Sequence, residues 1–185
     1  MKTCKIFKIF DDKQKILHTI CEPVEMPISD EIKNTLKEMI NYLKCSQDEE
    51  FSKKHNIRSG VGLAAPQIGI NKRFYAIYYI DSDDNVVEYG LVNPKIISSS
   101  VKLCALSGGE GCLSVNKDHE GLVYRYYKIT LTAYDVVKDK NITITAKGYD
   151  AIVLQHELDH LNGVVYYDRI NKENPLQQIE NSILI

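Results

Sequence analysis

The segment His156-Glu157-Leu158-Asp159-His160 has the strongest chemical character in the sequence. In a helix of 3.6 residues per turn, His156 and His160 are about 40° apart around the axis, so both imidazoles project from one face and can share a metal ion. Glu157 lies about 100° around from His156, within reach of a water at that metal but poorly placed to be a third ligand. The pattern therefore predicts one divalent metal beside a general base.

The same five-residue pattern also occurs as a pair of surface histidines on an ordinary helix. Here the neighbouring positions are apolar nearly all the way around the helix; they are Ile152, Val153, Leu154, Leu158 and Leu161. A helix that is apolar on every side lies inside its domain, where unpaired imidazoles would be costly. The metal interpretation is therefore favoured over the surface pair.

A catalytic metal of this kind needs a third protein ligand and one open coordination position. The sequence after His160 contains acidic residues but no histidine, so the third ligand must come from elsewhere. The best candidate is Cys112, in the segment Gly109-Glu110-Gly111-Cys112-Leu113-Ser114, where glycines let the backbone approach a metal closely. Alone, such a cysteine is more often a small buried hydrophobe, but beside two candidate histidines a ligand role is favoured.

A third segment, residues 60–69, reads GVGLAAPQIG and packs small residues and a proline around one amide side chain, Gln67. It can be a tight loop that enters a strand. In a functional interpretation, its glycines clear space for a substrate backbone, and Gln67 offers an amide donor to a developing oxyanion. It lacks the lysine and the spacing of a phosphate-binding loop.

The segments GVGLAAPQIG, EGCLS and QHELDHLNG, in this order from Gly60 to Gly163, resemble the three signature segments of the peptide deformylases. The polar stretch 46–59 and the GYDAIV sequence before the last segment are similar to the longer subgroup that is typical of Gram-positive bacteria and their wall-less relatives. Two positions depart from common patterns. Ile152 stands where the other bacterial subgroup usually has an arginine, and Asp150 stands where the longer subgroup frequently has a proline.

The resemblance implies removal of the formyl group from the N-terminal formylmethionine of nascent polypeptides, with release of formate. It implies one Fe²⁺ per chain, with Zn²⁺, Ni²⁺ or Co²⁺ as substitutes, held by Cys112, His156 and His160. By the same resemblance, the Gln67 amide and the Leu113 backbone N–H would meet the oxyanion, and Glu157 would carry the proton to the departing amine. The expected partners are N-formylmethionyl nascent peptides, with transient contact to the ribosome as a further expectation.

The resemblance also implies a pocket for an unbranched thioether side chain. Val61, Ile152 and Val153 are candidate apolar walls, although single aliphatic residues are more often core packing. The backbones of Gly60 to Gly62 and of Glu110 and Gly111 would hydrogen-bond the extended peptide. Asp159 would orient the site from behind the ligands through Arg125, and a plain salt bridge on the helix surface is an equal alternative.

Two other functions fit parts of these patterns. A zinc endopeptidase with the same helix motif would take a third ligand from a downstream or helix-borne residue, and the sequence offers no later histidine. A non-catalytic domain stapled by a closed metal site would usually have four protein ligands, whereas only three converge here. Glu157 would have no reason to lie beside such a structural site.

The bulk composition is that of an ordinary globular protein. A chain of 185 residues with 44% hydrophobic and 26% charged residues predicts a single domain over residues 1–185. The formal charge of -2, without a basic run, argues against direct nucleic-acid binding. No stretch has signal-peptide or membrane-span character, and five unpaired-looking cysteines indicate a reducing compartment, so we expect a cytoplasmic protein without membrane contact.

The elements that must position these residues follow from periodicity. Residues 29–45 predict a helix capped by Ser29, and residues 46–59 predict a loop with a short helical piece. Residues 73–144 carry β-branched and aromatic runs at 73–80, 86–94, 95–103, 128–136 and 141–146, with connections too short for crossover helices. The sequence thus predicts an α+β fold of mostly antiparallel strands packed around a central C-terminal helix that bears the His-Glu-x-x-His motif.

Overall fold

The computed structural model describes residues 4–185, with one long buried helix packed against two sheets. The helices are α1 (Asp30–Ser46), α2 (Glu49–His55) and α3 (Gly148–Leu161), with short 3-10 turns at Lys15–His18, Ala65–Ile68 and Tyr166–Arg169. The strands are β1 (Gly62–Ala64), β2 (Phe74–Ile80), β3 (Val86–Ser99), β4 (Leu103–Ala105), β5 (Arg125–Tyr126), β6 (Lys128–Asp135), β7 (Lys140–Lys147) and β8 (Ile183–Leu184).

The larger sheet is antiparallel throughout and has the strand order β1-β2-β3-β6-β7. The smaller sheet has the order β5-β4-β8, in which β4 and β5 are antiparallel and β4 and β8 are parallel. The predicted α+β class and the mostly antiparallel pairing are confirmed. Because β1 is an edge strand, one side of the glycine-rich segment pairs with no other strand among residues 4–185.

Helix α1 begins where the sequence predicts, since the Ser29 side chain accepts a hydrogen bond from the Ile32 N–H. Its apolar stripe of Leu36, Met39, Ile40 and Leu43 is buried under the larger sheet. The polar stretch after it contains the exposed helix α2, capped by Asp48 and ended by Asn56 in a left-handed conformation. The expected loop thus holds a helix of two turns.

One predicted strand boundary is wrong. Segments 86–94 and 95–103 were expected to be separate strands because Asn93 and Pro94 resemble a turn, yet β3 runs without a break from Val86 to Ser99. The register against β6 shifts between Val92 and Lys95, which is a β-bulge. The bulge accommodates a proline that has no N–H to give to the ladder, so no turn is needed.

Helix α3 is the central C-terminal helix that the sequence predicts. Every residue from Ala151 to Leu161 is buried except the half-buried His156. Its apolar side chains pack into the core cluster formed with β2, β6 and β7. Among the described residues, no helix combines the length and the apolar character that a membrane span requires.

Candidate metal centre and active site

Three ligand atoms converge at one point between α3 and the loop that follows β4. His156 and His160 project from α3, and Cys112 approaches from the loop, with one ligand atom of each residue within 4.8 Å of the others. The Cys112 Sγ atom lies 3.2 Å from His160 Nε2. A thiolate and two imidazoles at this spacing form a donor set that suits one divalent transition metal.

The electrostatics of the cluster favour a thiolate. Burial would raise the pKa of the Cys112 thiol, but the charge of His160 and hydrogen bonds from His156 and His160 outweigh it and hold that pKa well below its usual value. Burial works in the opposite direction on His156, yet contacts with Cys112 and Glu110 raise its pKa to about 10. The proton of the cluster therefore resides on imidazole, and the sulfur is ready to act as a ligand.

The Glu110 carboxylate orients His156. His156 Nδ1 donates to Glu110 Oε2 at 2.7 Å, which leaves Nε2 of the same ring to face the metal position. Burial raises the pKa of Glu110, but hydrogen bonds from Arg125 and His156 prevail and lower it to about 2. Glu110 is thus an ionised, buried acceptor, and its side chain has a role beyond the peptide-binding backbone predicted from the sequence.

Glu110 belongs to a chain of ion pairs in which Glu110, Arg125 and Asp159 are buried and Arg169 is partly exposed. Arg125 donates to both Glu110 oxygens, at 2.5 and 2.8 Å, and to Asp159 Oδ2 at 2.8 Å. Arg169 in turn donates to both Asp159 oxygens, at 2.5 and 2.6 Å. The side chains of Arg125 and Asp159 are only 1% and 7% exposed, so this pair does not lie on the helix surface. The chain links α3 to the loop that carries Cys112.

We expect Glu110→Gln to weaken metal binding by about 10- to 100-fold, because a neutral amide is a poorer acceptor for the His156 N–H and no longer fixes its tautomer. A competition titration against a chromogenic chelator measures this affinity directly. Glu120→Gln is the matched control, since it removes the same charge from an exposed position in the same loop between β4 and β5. Equal affinities for the two variants would show that the Glu110 carboxylate does not support the metal ligand.

Glu157 lies in the wall of the site beside the ligands. It is 4% exposed, and its Oε2 atom has no hydrogen-bond partner among residues 4–185. Burial raises its pKa to about 7, against the lowering effect of the neighbouring histidines. Its other oxygen, Oε1, occupies the space above Gly62, where a Cβ atom would lie 2.1 Å away. Gly62 is therefore the residue that gives this carboxylate room.

The two expected oxyanion donors, the Gln67 side-chain amide and the Leu113 backbone N–H, both lie next to Cys112. The Gln67 side chain donates to Ser114 Oγ at 3.1 Å and to Cys112 Sγ at 3.6 Å, while its Oε1 accepts the Ala64 N–H at 2.8 Å. The backbone N–H of Leu113 has no acceptor in the described part of the chain. Gln67 is thus held firmly against the site, and Leu113 has a free donor.

A cavity of about 310 Å³ opens beside these residues. Its lining includes every residue predicted to bind substrate, namely Gly60, Val61, Gly62, Glu110, Gly111, Ile152 and Val153, together with Arg58, Leu106 and Tyr149. The structure places the expected pocket walls next to the ligands. The cavity volume is in the range of small-ligand sites.

The Gly60 backbone, which was expected to bind the peptide, has hydrogen-bond partners within the protein. Its N–H donates to Ser46 Oγ at 3.2 Å, and its carbonyl accepts from Gln47 at 2.9 Å. Val61 O accepts the Tyr78 N–H, so the alternation of an antiparallel ladder turns the N–H and C=O of Gly62 to the free edge. Gly62 is the residue that can pair with an extended peptide.

Several residues of the site were not predicted from the sequence. Arg58 and Arg169 lie close to recognised motifs in the sequence but outside them, and nothing in their surroundings in the sequence indicates their contacts. Ser114 and the Glu110 carboxylate lie inside a recognised motif. For Glu110 a signal existed, since an acidic residue two positions from a metal ligand is a candidate to orient another ligand.

This fold and site define a single-metal hydrolase with a buried carboxylate beside its three ligands. The family model described as polypeptide deformylase matches residues 6–175, and the chain belongs to this family. It is accordingly a metal-dependent amide hydrolase of the deformylase class. This membership disfavours both the endopeptidase and the structural metal-site alternatives.

Relatives with this family name resemble the chain over most of its length. Peptide deformylase from Oceanobacillus iheyensis is 51% identical over 159 residues, 86% of each chain. Peptide deformylase 2 from Geobacillus stearothermophilus is 45% identical over 177 residues, 96% of each chain. The Met-Ala-Ser-bound crystal structure of the class I type b enzyme from Acinetobacter baumannii superimposes with a TM-score of 0.69 at 27% identity, covering 91% of this chain and 100% of that one. The relation to Gram-positive deformylases is thereby confirmed.

Proposed function

We propose that this protein removes the formyl group from the N-terminal formylmethionine of nascent polypeptides and releases formate. The observation that carries the proposal is the convergence of Cys112, His156 and His160 beside the buried Glu157, on the wall of a cavity that a peptide can enter. The Acinetobacter relative was crystallised with Met-Ala-Ser, which is the peptide that deformylation of formyl-Met-Ala-Ser would leave. That likeness supports a methionine-first substrate here.

Cys112, His156 and His160 would hold the metal, which we propose to be iron(II), with zinc, nickel or cobalt as functional substitutes. When bound, the cation supplies Lewis acidity that polarises the formyl oxygen and lowers the pKa of water at the centre. The donor set supports several of these ions, because thiolate and imidazole suit them all. A thiolate on iron(II) makes oxygen sensitivity an expected property of the protein.

Side chains and backbone groups of the protein perform the proton transfer, the oxyanion stabilisation and the substrate binding. Glu157 accepts a proton from the attacking water and returns it to the departing amine, a task suited to a carboxyl group whose pKa lies near 7. The Leu113 N–H and the Gln67 hydrogen directed at Cys112 Sγ stabilise the negative charge that develops on the formyl oxygen. The free edge at Gly62 aligns the peptide, and Val61, Ile152 and Val153 receive the methionine side chain.

We infer that the reaction takes place in the cytoplasm, where newly made formylmethionyl chains occur. The open cavity beside the free edge of β1 suits the flexible end of an emerging polypeptide. Transient contact with the ribosome is part of this proposal.

The test is formate release from formyl-Met-Ala-Ser by protein prepared without oxygen, with and without a chelator. We expect the chelator to abolish formate release and added iron(II) to restore it, because Cys112, His156 and His160 would activate water only through the metal that they hold. Unformylated Met-Ala-Ser-containing peptides serve as the control. Formate release that survives full metal removal, or cleavage of internal bonds in the control peptides, would contradict the proposal.

A further inference from the structure

Arg58 connects two motifs that are far apart in the sequence. It lies two residues before Gly60, after helix α2, and its side chain reaches the loop that follows Cys112. Its guanidinium donates from Nη1 to the Val115 carbonyl at 2.8 Å and from Nη2 to the Leu113 carbonyl. Two carbonyls in alternate positions of one loop thus share a single planar cation.

The loop from Cys112 to Val115 has no regular secondary structure to hold it. The Cys112 carbonyl accepts from the Val115 N–H at 3.2 Å, and the Ser114 carbonyl accepts from the Asp12 N–H at 2.9 Å. The other two carbonyls, those of Leu113 and Val115, are the ones that Arg58 binds. Arg58 therefore binds the two loop carbonyls that accept no backbone hydrogen bond in the described part of the chain.

The base of Arg58 is itself anchored to the body of the protein. Two residues further on, Gly60 is bound through its N–H by Ser46 and through its carbonyl by Gln47, at the end of α1. Gly60 also contacts the Leu113 side chain, since a Cβ at Gly60 would lie 2.8 Å from Leu113 Cδ1. A rigid support on one side and two hydrogen bonds on the other make Arg58 a clamp across the site.

We propose that Arg58 is a positioning residue for deformylation: by holding the Leu113 and Val115 carbonyls, it sets the direction of the Leu113 N–H toward the formyl oxygen. The inference rests on the proposed function, in which this N–H stabilises the oxyanion. Arg58 acts through the loop and does not need to touch the substrate. A lysine provides no planar fork and cannot bind both carbonyls in the same way.

The kinetic test compares Arg58→Met and Arg58→Lys with the wild-type protein on formyl-Met-Ala-Ser. We expect kcat of Arg58→Met to fall by about 10- to 100-fold, because small displacements of a transition-state donor are costly. KM and bound metal should change by less than about twofold, since the lost interaction acts mainly in the transition state. Arg58→Lys should recover part of kcat, and guanidinium ion at millimolar concentration should partly rescue an Arg58→Ala variant.

A second readout does not depend on activity. Amide hydrogen exchange in peptides that cover residues 111–116 should become faster in Arg58→Met, because the loop loses two hydrogen bonds. If the wild-type protein failed to release formate, the proposed function would fail while this exchange measurement still tested the clamp. If the wild-type protein were active and exchange in the loop did not change, the clamp alone would fail.

Arg73→Met is the matched control. Arg73 also donates to a backbone carbonyl, that of Leu161 at 3.1 Å, but this acceptor lies at the end of α3 and outside the loop. We expect this variant to keep kcat and the exchange rates of residues 111–116. An unchanged kcat in Arg58→Met, a rise in KM alone, or loss of the metal would each overturn the proposal, the last two by assigning Arg58 to substrate or metal binding.

Discussion

Replacing Glu157 by alanine is expected to lower kcat for formyl-Met-Ala-Ser by about 100- to 10,000-fold, the usual contribution of a positioned general acid–base. The metal content should stay at the wild-type level, because Glu157 is not one of the three converging ligands. Formate release and metal analysis on the same preparation measure both quantities. A Glu157→Ala protein that binds metal and works at the full rate would contradict the role assigned to this carboxylate.

The pH dependence of kcat/KM tests the role of Glu157 independently. Burial raises the pKa of Glu157 to about 7, and a general base works only in its ionised form. In the wild-type protein, kcat/KM should therefore rise with pH through an ascending limb at or below about 7, since a bound cation favours the ionised carboxylate and moves the limb to lower pH. Glu157→Ala should lack this limb.

The control for Glu157 is its isosteric change to glutamine. Glu157→Gln keeps the volume that fills the space above Gly62 but cannot accept a proton at any working pH. It should therefore lose activity as alanine does while keeping the thermal stability of the wild-type protein more closely. High activity in Glu157→Gln would mean that this position supports the site by packing alone.

The helix motif was predictable because its information is local. The spacing of His156 and His160 and the apolar residues around them specify a buried helix with two ligands on one face. The end of a strand is a weaker signal, and Pro94 shows why. A proline opposes a regular ladder, but a bulge relieves the conflict, and the choice depends on β6, which lies far along the chain.

The partners of buried charges were less accessible to prediction. Glu110 lies in a recognised motif, yet its bond to His156 joins residues 46 positions apart. The contacts of Arg58 with Leu113 and Val115 join two loops whose relative position depends on the whole fold. Sequence spacing determines which residues share a helix face, whereas the packing of separate elements determines which charges meet.

Replacing Cys112 by alanine should remove both metal and activity. Three ligand atoms lie within 4.8 Å of one another, and the thiolate is the only anionic donor among them. If about 10–16 kcal/mol of binding is shared by four protein ligands in structural zinc sites, each ligand contributes roughly 2.5–4 kcal/mol, so the metal affinity should fall by about 100- to 1,000-fold. Formate release should then fall to the level of the chelator-treated wild-type protein.

The test for Cys112 must distinguish the loss of a metal ligand from the general effect of replacing a half-buried cysteine by alanine. Cys45→Ala makes the same substitution at another half-buried cysteine and should keep both metal and activity. In the cobalt-substituted wild-type protein, a thiolate ligand produces near-ultraviolet charge-transfer absorption, which Cys112→Ala should lack and Cys45→Ala should retain. Removal of the thiolate leaves His156 and His160 to bind the ion alone. It also removes the negative charge that neutralises part of the charge of the cation. Wild-type metal affinity in Cys112→Ala would therefore place the third ligand elsewhere and reassign the whole centre.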